Sequence, residues 1–128
     1  NHLENRKIMT RILIVEDEQI IRELLGDNLE FEGFTTIQTA SLKDAETSMK
    51  SEKPDMVLCD MMMEKVDAGS KVAEMIRKED KNVPLYLLSS VGRAADLNID
   101  INKQGFNGVL QKPVDPQSLI AEVKKALK

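Results

Sequence analysis

Five short runs rich in apolar residues punctuate the chain, and most are followed by stretches in which apolar residues recur at helical spacing. Arg11 to Val15 (RILIV) is the first, and its β-branched content favours a strand. Phe34 to Ala40 is the second. Met56 to Asp60 (MVLCD) is wholly apolar until its last residue and opens after Pro54-Asp55, as a strand buried on both faces of a parallel sheet does. Pro84 to Leu88 (PLYLL), ending at Ser89-Ser90, is the fourth, and Gly108 to Gln111 (GVLQ), followed by Lys112-Pro113, is the fifth. Between them lie helical patterns. Ile20, Ile21, Leu24, Leu25 and Leu29 form one, stopped by Gly33; Leu42, Ala45 and Met49 form a second, capped by Ser41. Val72, Met75 and Ile76 mark a third. Leu119, Ile120, Val123 and Leu127 mark the last, which Asp115 caps with Pro116 at its first position.

One segment is ambiguous. Leu97, Ile99 and Ile101 alternate with Asn98, Asp100 and Asn102, which is a strand pattern. Two parallel strands need a crossover between them, so a weak helix is expected from Ala94 to Gln104, ended by Gly105. Five strands alternating with five helices predict an α/β fold: a five-stranded parallel sheet of order 2-1-3-4-5 in a flavodoxin-like three-layer sandwich.

A length of 128 residues suits one domain, expected over residues 10–128, with residues 1–9 an N-terminal extension. Aromatics make up only 3% of the chain, so Leu, Ile, Val, Met and Ala must fill the core. The net charge of −4, with acids and bases interspersed, argues against direct nucleic-acid binding, which needs a basic face. Cys59 is the only cysteine, so no internal disulfide forms and a cytoplasmic setting is expected. No apolar run is long enough to span a bilayer, and no membrane association is expected.

The chemistry lies at the strand ends. In open parallel sheets ligands bind beyond the carboxyl ends of the strands. There the first strand delivers Glu16 and Asp17, the third Asp60, the fourth Ser89 and the fifth Lys112. Strands one and three are expected side by side, so three carboxylates converge and repel one another. A hard divalent cation such as Mg²⁺ relieves that repulsion and keeps positions open for phosphate oxygens. Lys112 suits one phosphate oxygen and the Ser89 hydroxyl another. The set is a phosphoryl-transfer arrangement in which a carboxylate itself can be the acceptor. Each residue alone also has a plain structural role, at a helix N-terminus, in a turn or on the surface; a coincidence of four strand ends is harder to accept.

ILIVEDE, VLCD, LLSS and LQKP, in this order and spacing, resemble the receiver domain of bacterial two-component response regulators over Arg11 to Lys128. The resemblance implies that Asp60 is phosphorylated by a phosphohistidine of a histidine kinase or histidine phosphotransfer protein. It implies Mg²⁺ bound directly by Asp17 and Asp60, by Glu16 through water, and by the backbone carbonyl of Met62. It implies that Ser89 is the switch hydroxyl and that Lys112 contacts a phosphoryl oxygen. Such a domain is a signalling phosphoacceptor, not an enzyme acting on other substrates, and is a monomer or a weak phosphorylation-dependent homodimer. Three positions depart from the family's pattern: Glu64 replaces a usual Pro, Ala68 a usual Gly, and Val109 the aromatic three residues before the Lys. Without that aromatic, the signal is expected to leave through the loop after Ser89 and the weak helix. Rival readings are an unphosphorylated interaction module, an aspartate-dependent phosphatase and a flavin module. Met62 stands where the phosphatase commonly needs a second Asp, and Glu16-Asp17-Glu18 where the flavin module needs a phosphate loop.

Overall fold

The computed structural model describes residues 10–60, 69–90 and 105–127. In chain order these form β1 (Arg11–Val15), α1 (Gln19–Phe31), β2 (Thr35–Thr39), α2 (Leu42–Glu52), β3 (Met56–Asp60), α3 (Gly69–Glu79), β4 (Leu85–Ser90), β5 (Gly108–Lys112) and α4 (Pro116–Ala126). The strands make one parallel sheet of order β2-β1-β3-β4-β5, as expected. Four of the five expected helices lie among the described residues. The weak helix expected from Ala94 to Gln104, the loop from Met61 to Val66, Ala68 and the extension over residues 1–9 lie outside them.

β3 is the central strand and is buried at every position, which is why its sequence is a continuous apolar run. Successive side chains point to opposite faces of the sheet. Leu13, Val15, Val57, Cys59, Leu85 and Leu87 pack on one face with Ala45 and Met49 of α2 and Val72 and Ile76 of α3. Ile12, Ile14, Met56, Leu58 and Leu88 pack on the other with Leu25 and Leu29 of α1 and Leu119 and Val123 of α4. β2, at the sheet edge, is rich in Thr and only partly buried.

The helix ends carry the expected caps. Ser41 Oγ accepts from the Asp44 amide at 3.1 Å. Asp115 Oδ2 accepts from the Ser118 amide at 3.0 Å, with Pro116 opening α4. Gly33, with φ 104°, takes the left-handed conformation after α1. At the start of β5, a Cβ on Gly108 would lie 2.8 Å from the Tyr86 ring, so only glycine admits that close approach.

Three sequence expectations are corrected. Ile20 and Leu24 do not face the core: they are 82% and 56% exposed, while α1 buries Leu25, Gly26 and Leu29. The helix meets the sheet along a single stripe, and Ile20 and Leu24 belong to its neighbour. β4 does not stop at Leu88 but continues through Ser89 and Ser90, and β5 includes Lys112. The ladder carries both strands into polar sequence, because backbone pairing of Ser89 with Gln111 and Ser90 with Lys112 needs no apolar side chain.

Opposite the carboxyl edge, Arg77 ties three segments together. Its guanidinium donates to the carbonyls of Val83 at 2.6 Å, Asp80 at 3.3 Å and Gly105 at 2.7 Å, and to Asn107 Oδ1 at 3.0 Å. Asn107 Oδ1 also accepts from the Leu85 amide at 2.8 Å, so the end of α3, the start of β4 and the approach to β5 share one network. Half-buried carbonyls stripped of a charged donor are costly. Arg77→Ala is therefore expected to lower stability by about 2–4 kcal/mol. Urea unfolding checks this: the midpoint should fall with the slope unchanged, and Arg77→Lys should recover only part of the loss.

Candidate functional site

β1 and β3 end side by side. Val15 faces Cys59 in the ladder, so the next residues, Glu16 and Asp60, emerge together at the carboxyl edge. The Glu16 amide donates to the Thr39 carbonyl at 3.0 Å, and Thr39 Oγ1 donates to the Ile14 carbonyl at 2.8 Å; together they hold the end of β1 against β2. One carboxylate oxygen from each of Glu16, Asp17 and Asp60 lies within 4.8 Å of the others. Glu16 and Asp60 are buried, and Asp17 is exposed, so the cluster opens to solvent on the Asp17 side.

β4 and β5 bring the other two residues to the same edge. Asp60, Leu88 and Leu110 share one rung of the sheet. Ser89 stands one residue further toward the edge and is buried; Lys112 stands two residues further. The Lys112 side chain spans the crevice, with Nζ 2.9 Å from Glu16 Oε1 and 3.1 Å from Asp60 Oδ1. Glu16 Oε2 accepts from the Glu18 amide at 3.2 Å, which closes the turn into α1. Five of the six sequence-predicted residues thus reach one edge, and four of them converge as charges. Met62 lies outside the described residues. Val109 is half-buried and packs against the core on the α2 and α3 side.

The electrostatics follow from three carboxylates facing one ammonium. Burial, then the hydrogen bond with the Asp60 carboxyl, pushes the Glu16 carboxyl up to about 7, against the opposing pull of Lys112 and the Glu18 amide. Burial alone would lower the Lys112 ammonium, but its bonds to Glu16 and Asp60 outweigh that and raise it. Oxygen donors only, with one carboxylate open to solvent, are the donor set a hard divalent cation prefers. Chemically, a buried carboxylate with an ammonium and a hydroxyl-bearing strand end beside it has the parts for nucleophilic attack on an anionic group.

Sequence reasoning missed Arg22. Its Nη1 donates to the Glu16 carbonyl at 2.8 Å and lies 3.5 Å from that of Asp17. The available signal was its place one helical turn after Glu18, from which a long side chain reaches back toward the helix N-terminus. Also unforeseen is an apolar groove of about 310 Å³ between α1 and the end of β5 with the turn that follows it, lined by Ile21, Leu24, Leu25, Asn28, Lys112, Pro113 and Val114. It brings apolar surface directly to the crevice.

Residues 12–124 match the family model of the response regulator receiver domain. The chain is a response-regulator receiver domain. This receiver is 30% identical over 122 residues to RpaA, a DNA-binding dual master transcriptional regulator of Synechocystis; the match covers 94% of this chain and 50% of RpaA. It is 30% identical over 118 residues to the alkaline phosphatase synthesis transcriptional regulatory protein PhoP of Bacillus subtilis, covering 92% of this chain and 48% of PhoP. The receiver spans about half the length of the curated relatives it matches. Among solved structures, a response regulator receiver domain protein of Clostridium thermocellum superposes with a TM-score of 0.82 at 26% identity, covering 92% of this chain and 94% of that one. The chemotaxis response regulator CheY4 of Vibrio cholerae shares the fold, with a TM-score of 0.81 at 22% identity and coverage of 93% and 99%.

The raised Glu16 pKa has a signed consequence for stability. Below pH 4.5 the carboxyl is protonated whether the chain is folded or not. Between 4.5 and about 7 the unfolded chain ionises first, so stability falls as pH rises through that window and levels off above it. In chelator-treated protein, Glu16→Gln is expected to gain on the parent across this window by on the order of 1–3 kcal/mol. Chemical denaturation at a series of pH values measures the difference; a constant offset would contradict the assignment.

Proposed function

We propose that this receiver takes a phosphoryl group from a phosphohistidine of a histidine kinase or histidine phosphotransfer protein onto Asp60, in a Mg²⁺-dependent reaction, and so changes its protein-interaction surface. The observation that carries this reading is the buried Asp60 carboxylate at the end of the central strand, with Glu16 and Asp17 oxygens within 4.8 Å and Lys112 Nζ at 3.1 Å. An Asp60 oxygen forms the new bond to phosphorus as the phosphorus–nitrogen bond breaks, and the imidazole leaves with the electron pair. The Lys112 ammonium contacts one phosphoryl oxygen and the Ser89 hydroxyl donates to another. Asp17 and Asp60 would hold Mg²⁺ directly and Glu16 through water, and the backbone carbonyl of Met62, which lies outside the described residues, would be the remaining protein ligand. When bound, the ion neutralises the carboxylates and the charge that develops on the phosphoryl oxygens. The chain acts on itself and on no other substrate.

Partner and setting follow from the same reading. Receiver domains interact with histidine kinases. A protein donor must bring its phosphohistidine to the crevice, and the exposed Ile20 and Leu24 beside the Lys112 groove offer it apolar contact. RpaA binds DNA by its name, but DNA contact is not assigned to this receiver, whose net charge is −4. Among the described residues no helix is long and apolar enough to cross a membrane. A cytoplasmic setting belongs to the same proposal, and the lone cysteine, Cys59, supports it.

Incubation with acetyl phosphate and Mg²⁺, read by intact mass, tests the chemistry. One phosphoryl group should be gained, and the gain should vanish with chelator and in Asp60→Asn. A gain retained in Asp60→Asn would sink the assignment. Transfer from a phosphohistidine protein tests the contact surface: Leu24→Ala should slow it by about 5- to 10-fold while leaving labelling by acetyl phosphate unchanged.

A further inference from the structure

The turn that presents Glu16 and Asp17 has few internal supports. The β1 ladder ends at Val15, and α1 begins only at Gln19. Glu18, the residue preceding α1, supplies no side-chain cap to the helix. Yet this turn must aim two carboxylates into the crevice.

Arg22 is anchored where it can do the aiming. Its amide donates to the Glu18 carbonyl at 2.9 Å, which fixes it in the first turn of α1. Helical side chains lean toward the helix N-terminus, and the Arg22 guanidinium returns along that direction to the Glu16 carbonyl at 2.8 Å and toward the Asp17 carbonyl at 3.5 Å. The Glu16 carbonyl belongs to the planar peptide that joins Glu16 to Asp17. Holding that plane constrains ψ of Glu16 and φ of Asp17 together, and with them the directions in which both side chains leave the backbone. The contact is partly buried, so the charged hydrogen bond is sheltered from water. Lys112 engages the cluster from the carboxylate side; Arg22 engages it from the backbone side.

We propose that Arg22 is a positioning residue for the cation site: by holding the Glu16–Asp17 peptide it orients the two carboxylates and thereby sets the affinity for a divalent cation. The inference rests on the phosphoacceptor reading above, in which the crevice binds Mg²⁺. Residues that orient metal ligands commonly change affinity by 10- to 100-fold when replaced.

Magnesium chloride titrated by calorimetry into chelator-stripped parent, Arg22→Gln and Arg22→Lys tests the idea. Arg22→Gln is expected to bind Mg²⁺ about 10-fold more weakly, and Arg22→Lys to fall between it and the parent. In acetyl phosphate labelling, the Mg²⁺ concentration for half-maximal rate should rise while the rate at saturating Mg²⁺ is largely kept. A merely structural role would lower the melting temperature and leave the affinity of the folded protein alone. Arg22→Gln binding within about twofold of the parent would overturn the proposal. Should Arg22→Gln fail to fold, the parent decides. Its Arg22 guanidinium resonances should shift with the binding isotherm while those of Arg77, at the opposite edge, stay still; an unmoved Arg22 overturns the proposal. A parent that takes up no Mg²⁺ overturns the cation reading as well.

Discussion

A carboxylate buried at the end of a central strand can stay there only if its surroundings answer its charge. Asp60 has Glu16 and Asp17 as neighbours, so the problem begins worse than that of a lone acid. The answer in this chain is Lys112, which bonds Glu16 and Asp60 at once and is raised in pKa by doing so. One ammonium does not balance three carboxylates, and Glu16, whose carboxyl is pushed up to about 7 by burial first and by its hydrogen bond with Asp60 second, carries the cost. A buried pair of this kind contributes little net stability, since desolvation offsets the attraction. In the function proposed for this receiver its value lies in poise: the same excess negative charge that burdens the fold is what would attract a cation.

Everything else in the fold serves to keep that crevice at the carboxyl edge. Parallel pairing from β2 to β5 aligns the strand ends on one side, and each rung fixes which residues meet. The two faces of the sheet are sealed by α2 and α3 on one side and α1 and α4 on the other. Arg77 pins the opposite edge, where α3, β4 and the approach to β5 would otherwise leave carbonyls without a charged donor. The site is therefore framed by strand ends and open toward Asp17 and the groove beside Lys112.

Membership of the receiver family settles the class of signalling protein, but this chain carries its own features. Val109, where relatives commonly have an aromatic, packs into the core on the α2 and α3 side. A short β-branched side chain is restricted at χ1. Ile20, Leu24 and Phe31 leave an apolar stripe of α1 in solvent, which a soluble surface seldom keeps without use.

The amino-acid sequence by itself determined the strands, the parallel order and the strand ends that carry chemistry. Continuous apolar runs such as MVLCD report burial on both faces, and Asp60 at the end of one is placed by that fact alone. Ser41 and Asp115 were legible as caps for the same reason: capping is a contact between residues close in the chain. What crosses from one element to another was not legible. That Lys112 bonds Glu16, that Arg22 turns back to the Glu16 carbonyl, and that Ile20 and Leu24 face solvent while Leu25 and Leu29 do not, all depend on how elements are set against each other. Periodicity records which residues repeat along one element. Only the tertiary structure decides which stripe of a helix meets the sheet, and how far a long side chain reaches across a crevice between strands.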